Sequence, residues 1–155
     1  MAIDLAEKYE AEIIVLHVRL GSQSVFDMLP LAEKLQADAA VIEKLKELYD
    51  ASIETVSTPY GGMVSLPVPD NIVQVIGKLI CAKAKLLAEA RGVTGVRTYV
   101  VDGSPVERIL TAEERENADM IVMGSRGLGK WGDLFMGSVS HNVSHLSKGT
   151  CVTVK

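Results

Sequence analysis

The chain has 155 residues, of which 48% are hydrophobic and 23% charged, a composition that predicts one folded domain and excludes overall disorder. Its formal net charge of -4 provides no basic surface for nucleic acid or an anionic membrane. Neither a membrane-spanning apolar run nor a signal-peptide pattern is present in the sequence. We therefore expect a cytoplasmic protein with no nucleic-acid or membrane partner.

The first seventy residues combine a helix, a strand and a helical insertion. Residues 1–9 have an apolar stripe at helical spacing, and residues 12–18, rich in Ile and Val, predict a buried strand. The insertion covers residues 22–70, with a turn expected at 58–62. One or two helices, interrupted by Pro30 and Asp38, are predicted there by Leu31, Leu35, Val41, Leu45 and Leu48.

The second half alternates helix and strand. A helix is expected from Asn71 to Ala90, followed by a strand at 96–101 and a helix capped by Ser104 that ends near 116–117. A strand buried on both faces is expected at 119–123, then a helix from Ser138 and a strand at 151–154. The buried side of the Asn71 helix is predicted to comprise Ile72, Val75, Ile76, Leu79, Ile80, Ala84, Leu87 and Ala88. This order predicts an open, mostly parallel, doubly wound α/β sheet of Rossmann-like type with helices on both faces.

A glycine-rich segment, 124–138, joins the strand at 119–123 to the following helix, which Ser138 is placed to cap. This order of strand, loop and helix directs backbone N–H groups and the positive end of a helix dipole at one point. Such an arrangement favours an anion such as phosphate.

Three glycine patterns compete for this loop. The dinucleotide pattern G-x-G-x-x-G fits residues 127–132, but no Asp or Glu follows Asp133 to contact a ribose. The P-loop pattern fits 124–130, but Trp131 stands where a Ser or Thr would hold magnesium. A third pattern fits throughout: Gly124, two residues, Gly127, nine residues, Gly137 and Ser138.

This third pattern resembles the ATP-binding branch of the universal stress proteins. The resemblance also covers residues 101–110, 118–127, 136–140 and 151–154, and residues 10–18 look like the second strand of that family. It implies an adenine nucleotide alpha hydrolase-like fold with Val18 against adenine, Gly124 beside ribose and Gly127 beside the phosphates. The full set of nucleotide-binding residues implied in this way is Val18, Met123, Gly124, Arg126, Gly127, Gly137, Ser138 and Val139.

The resemblance further implies a regulatory switch in the stress response that holds ATP, with AMP or ADP as alternatives and Mg²⁺ carried by the nucleotide. It implies a homodimer formed through residues 150–155. Two alternatives stay open. One is slow ATP hydrolysis or autophosphorylation, for which Ser138 is the nearest hydroxyl; the other is a non-nucleotide interaction module that uses the insertion and Trp131.

Members of this family begin with a central strand whose terminal Asp helps to hold adenine, and this sequence lacks a counterpart before residue 1. We therefore expect residues 1–155 to form one domain that is incomplete at its N-terminus. A late start of the chain, a strand swapped from a partner chain, or residues 63–70 in its place would each account for this. Pro67 and Pro69 argue against the last of these.

The remaining candidate residues predict structural roles. Cys81 and Cys151 lie far apart without a C-x-x-C motif, so we expect two small buried side chains. His141 and His145 have metal-ligand spacing but no third ligand nearby, so no metal site is predicted. His17, on the face of its strand opposite Val18, is expected to be a structural histidine.

Overall fold

The computed structural model describes residues 1–21, 23–56, 66–125 and 137–155. Within these ranges the helices are α1 (Ala2–Tyr9), α2 (Val25–Lys34), α3 (Ala39–Val56), α4 (Asp70–Glu89), α5 (Pro105–Glu116) and α6 (Ser138–Leu146), and the strands are β1 (Ile13–Arg19), β2 (Val96–Asp102), β3 (Met120–Gly124) and β4 (Thr150–Val154). The order of helices and strands matches the prediction. None of the described helices has the length and apolar character needed to cross a membrane. The turn expected at 58–62 lies outside the described residues.

The strands form two parallel pairs. β1 runs beside β2 from Ile13, next to Val96, to Arg19, next to Asp102. β3 runs beside β4, and Gly124 ends it next to Val154. The predicted parallel α/β fold is therefore confirmed, but among the described residues the strands form two separate sheets rather than a continuous one.

A cavity of about 540 Å³ separates β1 from β3, and we call it the central groove. Its walls include Ile14 and Leu16 of β1, Ile109 and Ala112 of α5, and four consecutive residues of β3, Met120 to Met123. The prediction that β3 is buried on both faces is wrong, because this groove leaves Met120 41% exposed and residues 121–123 half-buried.

Helices cover the two faces of β1 differently. Ile13 and Val15 pack with Ala6 of α1 and Ala88 of α4, while α5 lies against β1 on the side of Ile14 and Leu16. This division follows the alternation of side chains along a strand. α6 packs against both α5 and β4.

The buried face of α4 is rotated from the predicted one. Ile72, Ile76 and Ala88 are buried as expected, but so are Val73, Gly77 and Cys81. Val75 and Leu87, expected inside, are 37% and 62% exposed. The cause is close contact at Gly77, where a Cβ would lie 2.9 Å from His17 Cδ2 and 3.0 Å from Val100 Cγ1.

The insertion contains two helices, and the core that they form also includes Ile72, Val73 and Ile76 of α4. Val25, Met28, Ala32 and Leu45 are buried within it, and the rings of Phe26 and Tyr49 meet edge to face with centroids 5.2 Å apart. Pro30 does not interrupt α2, contrary to the prediction, because packing of α2 in the core offsets the backbone hydrogen bond that Pro30 cannot make. The break comes instead after α2, where Gln36 has a φ of 54°.

The described part of the segment 63–70 lies against the start of α2. Pro67 forms an antiparallel bridge with Ser24, and the Val68 N–H donates to the carbonyl of Gln23 at 3.4 Å. Residues 66–68 therefore lie beside residues 23–24.

The cysteines and His17 occupy the structural positions expected of them, with one difference. Cys81 is 2% exposed and its thiol donates to the Tyr99 carbonyl, so burial raises the pKa of Cys81. Cys151 is half-buried rather than buried, and both thiols are free. His17 is half-buried against α4, and burial, with a smaller effect from the charge of Arg19, lowers the pKa of His17.

Candidate functional site

The carboxyl ends of β1 and β3 carry three of the described residues that the sequence predicts to bind a ligand, Val18, Met123 and Gly124. Val18 is the penultimate residue of β1 and Gly124 the last of β3. In open α/β sheets ligands bind beyond these strand ends. Gly124 is exposed, so no side chain of the described residues covers the end of β3.

Hydrogen bonds hold together the two ends of the glycine-rich loop. The Ser125 carbonyl accepts from the Gly137 N–H at 2.8 Å and from the Ser140 hydroxyl at 3.0 Å. The Ser125 N–H in turn donates to the Val154 carbonyl at 2.7 Å. The start of α6 is thereby fixed beside the end of β3, whatever course residues 126–136 take between them.

The start of α6 presents backbone donors. The first helical hydrogen bond joins the His141 N–H to the Gly137 carbonyl at 2.9 Å, so the N–H groups of residues 138–140 have no acceptor within the helix. Together with the helix dipole, such groups attract an anion.

One expectation about this helix is wrong. Gly137 is the N-cap, with φ -59° and ψ 147°, and Ser138 is the first helical residue rather than the cap. In the described part of the chain, no side chain caps α6 by a hydrogen bond. Its first-turn donors are therefore not used by a capping side chain, and the exposed Ser138 hydroxyl is not engaged as a cap.

The structure brings together some of the predicted site residues and separates others. Met123, Gly124, Gly137, Ser138 and Val139 lie around the junction of β3 and α6. Val18 lies across the central groove, at the end of the other sheet. Arg126 and Gly127, and with them Lys130 and Trp131, lie outside the described residues.

An arginine clamp at the same end of β1 was not predicted. Arg19, whose side chain is 10% exposed, pairs with Asp70 of α4 at 2.9 Å and with Asp102 of β2 at 2.6 Å. The hydrogen bond that the Arg19 guanidinium donates to the Asp102 carboxylate is the main reason that the pKa of Arg19 is raised. The clamp ties the start of α4 to the sheet directly beside Val18.

The sequence contained only an indirect signal for this clamp. Arg19 and Asp102 each come at the end of a strand, and the register sets them side by side. The register itself could not be read from the sequence. Asp102 is further fixed because its carbonyl accepts from Arg108 Nε at 2.7 Å.

No metal centre emerges from the parts of the chain described here. The described parts of the chain contain no group of three or more His, Cys, Asp or Glu side chains that could hold a metal ion. His141 and His145, which have the spacing of metal ligands, are both exposed on α6. The carboxylates of Asp70 and Asp102 are already paired with Arg19.

Known proteins resemble this chain over its whole length. The sequence profile of the universal stress protein family matches residues 1–155. A universal stress protein of Thermus aquaticus is 41% identical over 85 residues, which are 50% of this chain and 62% of that protein. Universal stress protein YxiE of Bacillus subtilis is 29% identical over 150 residues, covering 97% of this chain and 82% of its own length.

A solved structure shares the fold. It is the crystal structure of a universal stress protein in complex with cAMP, which is 21% identical and superposes with a TM-score of 0.56 over 99% of this chain and 84% of that one. At this identity the likeness shows the fold alone. The family match supports a role in the stress response.

Proposed function

Because the chain belongs to the universal stress protein family, we propose that it is a regulatory protein that binds an adenine nucleotide at the carboxyl ends of β1 and β3. The observation that carries the proposal is the bonding of Ser125 to Gly137 and Ser140. It fixes the donor-rich start of α6 beside the exposed Gly124, where backbone can approach phosphate closely. That a protein of the same fold was crystallised with cAMP also supports it.

The proposed contacts divide the nucleotide between the two sheets. The phosphates lie against the N–H groups at the start of α6, with Gly137, Ser138 and Val139 nearest and Arg126 and Gly127 contributing from the loop. The ribose lies beside Met123 and Gly124, and adenine packs on Val18. ATP would bring its own Mg²⁺, since the nearby carboxylates of Asp70 and Asp102 are paired with Arg19.

Calorimetric titration with ATP and magnesium tests this proposal. We expect saturable binding near or below about 100 µM, or roughly -5.5 kcal/mol. Ser140→Ala should weaken binding about tenfold because the loop end loses its hydroxyl anchor, while Ser144→Ala, on the exposed side of the same helix, should not. A folded chain that binds neither ATP, ADP, AMP nor cAMP would refute nucleotide binding and favour the interaction-module alternative.

A nucleotide bound at this site would change the surface of the protein. It would not be a substrate whose phosphate bonds the protein cleaves rapidly. Among the described residues no carboxylate or histidine is hydrogen-bonded to Ser138, the hydroxyl that would accept a phosphoryl group. We expect any ATP turnover to be slow. If Ser138→Ala leaves that turnover unchanged, Ser138 is not the acceptor.

We also propose a homodimer through residues 150–155. β4 pairs with β3 on one side, and among the described strands none pairs with its other edge. An open edge of this kind can pair with its equivalent across a two-fold axis. Sedimentation at micromolar concentration should show a dimer that Thr153→Pro converts to a monomer.

A further inference from the structure

The outer side of α3 carries an open depression of about 540 Å³, which we call the α3 depression. All of its lining residues belong to this one helix: Ala39, Ile42, Glu43, Lys46, Glu47 and Asp50. Ile42 is half-buried against the core of the insertion, and the other five are exposed. The fully buried Leu45 marks the inner side of the same helix, so the depression faces solvent.

The α3 depression has the shape of a strip along the helix. Its lining residues recur at spacings of three and four, which places them on one side of α3 over about 16 Å of its length. A strip of this kind suits a second helix lying alongside, because packed helices have axes about 8–10 Å apart. Ala39 and Ile42 provide the apolar contact that recognition of an amphipathic helix requires.

Two carboxylates of the α3 depression have no partner among the described residues. Glu47 is paired with Lys44 at 2.7 Å. The carboxylates of Glu43 and Asp50 have neither an ion pair nor a hydrogen bond to any residue that the structure describes. They are seven residues apart, or about 10 Å along the axis. A neighbouring helix with Arg or Lys at the same spacing would place one cation opposite each of them.

The net charge of the chain is concentrated in the same part of the molecule. Residues 22–56 contain seven acidic and three basic side chains, a formal net charge of -4 that equals the net charge of the whole chain. Acidic and basic side chains balance in the remaining residues. A basic partner is therefore attracted to the insertion, whereas nucleic acid and anionic membranes are repelled by it.

The same charges disfavour a second copy as the occupant. The side chains that line the depression have a net charge of -2, and their single cation, Lys46, already lies 3.8 Å from Glu33. Two copies placed face to face would bring four net negative charges into one interface, where like charges cost free energy. The surface therefore fits a separate, basic polypeptide.

We propose that the α3 depression binds a basic amphipathic helix of a separate polypeptide. Its apolar side chains pack on Ala39 and Ile42, and its Arg or Lys residues, seven apart, pair with Glu43 and Asp50. This binding does not depend on a nucleotide. The assays below contain none, and their failure would leave the proposed function untouched.

The probe is a fluorescent synthetic peptide of three repeats of Leu-Ala-Gln-Leu-Arg-Ala-Ala, titrated with the full chain and followed by anisotropy. It has Arg at every seventh position and is long enough to form a helix in isolation. We expect saturable binding in the micromolar range. A peptide of the same composition, rearranged so that Leu no longer occupies one face, should bind at least tenfold more weakly. Equal binding of the two peptides would refute recognition of an amphipathic helix.

A pair of double variants localises the site. Glu43→Gln with Asp50→Asn should weaken peptide binding at least fivefold. Glu7→Gln with Glu107→Gln makes the same change in net charge at exposed positions of α1 and α5. This control should alter binding less than twofold, because salt screens charges that lie more than about 8 Å apart. Equal effects of the two double variants would overturn the assignment.

Charge reversal separates loss of the site from loss of the fold. The variant Glu43→Arg with Asp50→Arg should lose the Arg peptide but bind the same peptide with Glu in place of Arg, to within about threefold of the original affinity. A folded variant that binds neither peptide would contradict the proposed charge pairs.

Amide chemical shifts of the unmodified chain give a readout that needs no variant. Addition of the Arg peptide should shift the amide signals of α3, including those of Glu43, Lys46 and Asp50, and leave those of α5 unchanged. Shifts concentrated outside α3 would refute the proposal. A dimer that forms without peptide and dissociates on the double Arg substitution would refute it in favour of a second copy.

Discussion

Glu113 provides the sharpest test of how α5 holds the second sheet. Its side chain is buried, with the residue 8% exposed, and one carboxylate oxygen accepts from the Gly149 N–H at 2.8 Å and from the Ser147 hydroxyl at 2.6 Å. Glu113→Ala removes both bonds. Hydrogen bonds to a charged group contribute about 1.5–3 kcal/mol each.

The net loss should be smaller than the sum of the two. After the substitution the Gly149 N–H retains the Ser147 oxygen at 3.2 Å, and the Ser147 hydroxyl retains the Gly149 carbonyl at 3.3 Å. We therefore expect Glu113→Ala to lower the free energy of unfolding by about 2–3 kcal/mol, which lowers the melting temperature by about 4–12 °C in a domain of this size. Glu113→Gln, which keeps an acceptor, should cost about half as much.

Glu114 supplies a matched control for thermal unfolding followed by circular dichroism. It is the next residue of α5, is 73% exposed and pairs with Lys148 at 2.9 Å on the surface. Exposed ion pairs contribute little to stability, so Glu114→Ala should shift the melting temperature far less. Equal shifts for the two alanine variants would refute the claim that the buried carboxylate fixes the turn before β4.

Three further outcomes follow from α4 and its contact with β1. Because the folded state lowers the pKa of His17, the unfolded chain binds the proton first. Stability should therefore fall as the pH drops below about 6.5. In His17→Gln the urea concentration at the midpoint of unfolding should change less between pH 7.5 and 5.5 than it does in the unchanged chain. Cys81, with a raised pKa, should react with a thiol reagent at pH 8 far more slowly than the half-buried Cys151; equal rates would contradict its burial. Gly77→Ala should destabilise the fold by about 1–2 kcal/mol in urea titration, because the steric cost of overpacking exceeds the helix propensity gained.

The order of the elements, and the bounds of those outside the insertion to within a residue or two, could be predicted because each has a local signal. Apolar runs marked the strands, and Ser104 with Pro105 marked the start of α5. The rotated face of α4 could not be predicted, because Ile72, Val73, Val75 and Ile76 are all apolar and the periodicity fits either set. Contact of Gly77 with His17 and Val100 decides between them, and that contact joins residues distant in sequence.

The candidate site, too, could be predicted from the sequence only in part. The glycine pattern located the loop, and the helix after it begins at Ser138, one residue earlier than a Ser138 cap would place it. No pattern in the sequence indicated that Ser125 and Ser140 close the loop. Nor could it decide that Gly137 rather than Ser138 is the cap, since either residue type suits that position. The Arg19 clamp depends on strand register, which only the assembled sheet sets.

The core that the insertion shares with the start of α4 bears on how the chain folds. β3 and β4 are separated by 25 residues, but β1 and β2 by 76, and the longer closure costs about 1 kcal/mol more in chain entropy. The insertion shortens that gap by folding on itself, since α2, α3 and the start of α4 bury one another. Once they have done so, Arg19 at the end of β1 and Asp70 at the start of α4 are neighbours. Only α4 and the short segment after it then separate β1 from β2, instead of a long unfolded chain.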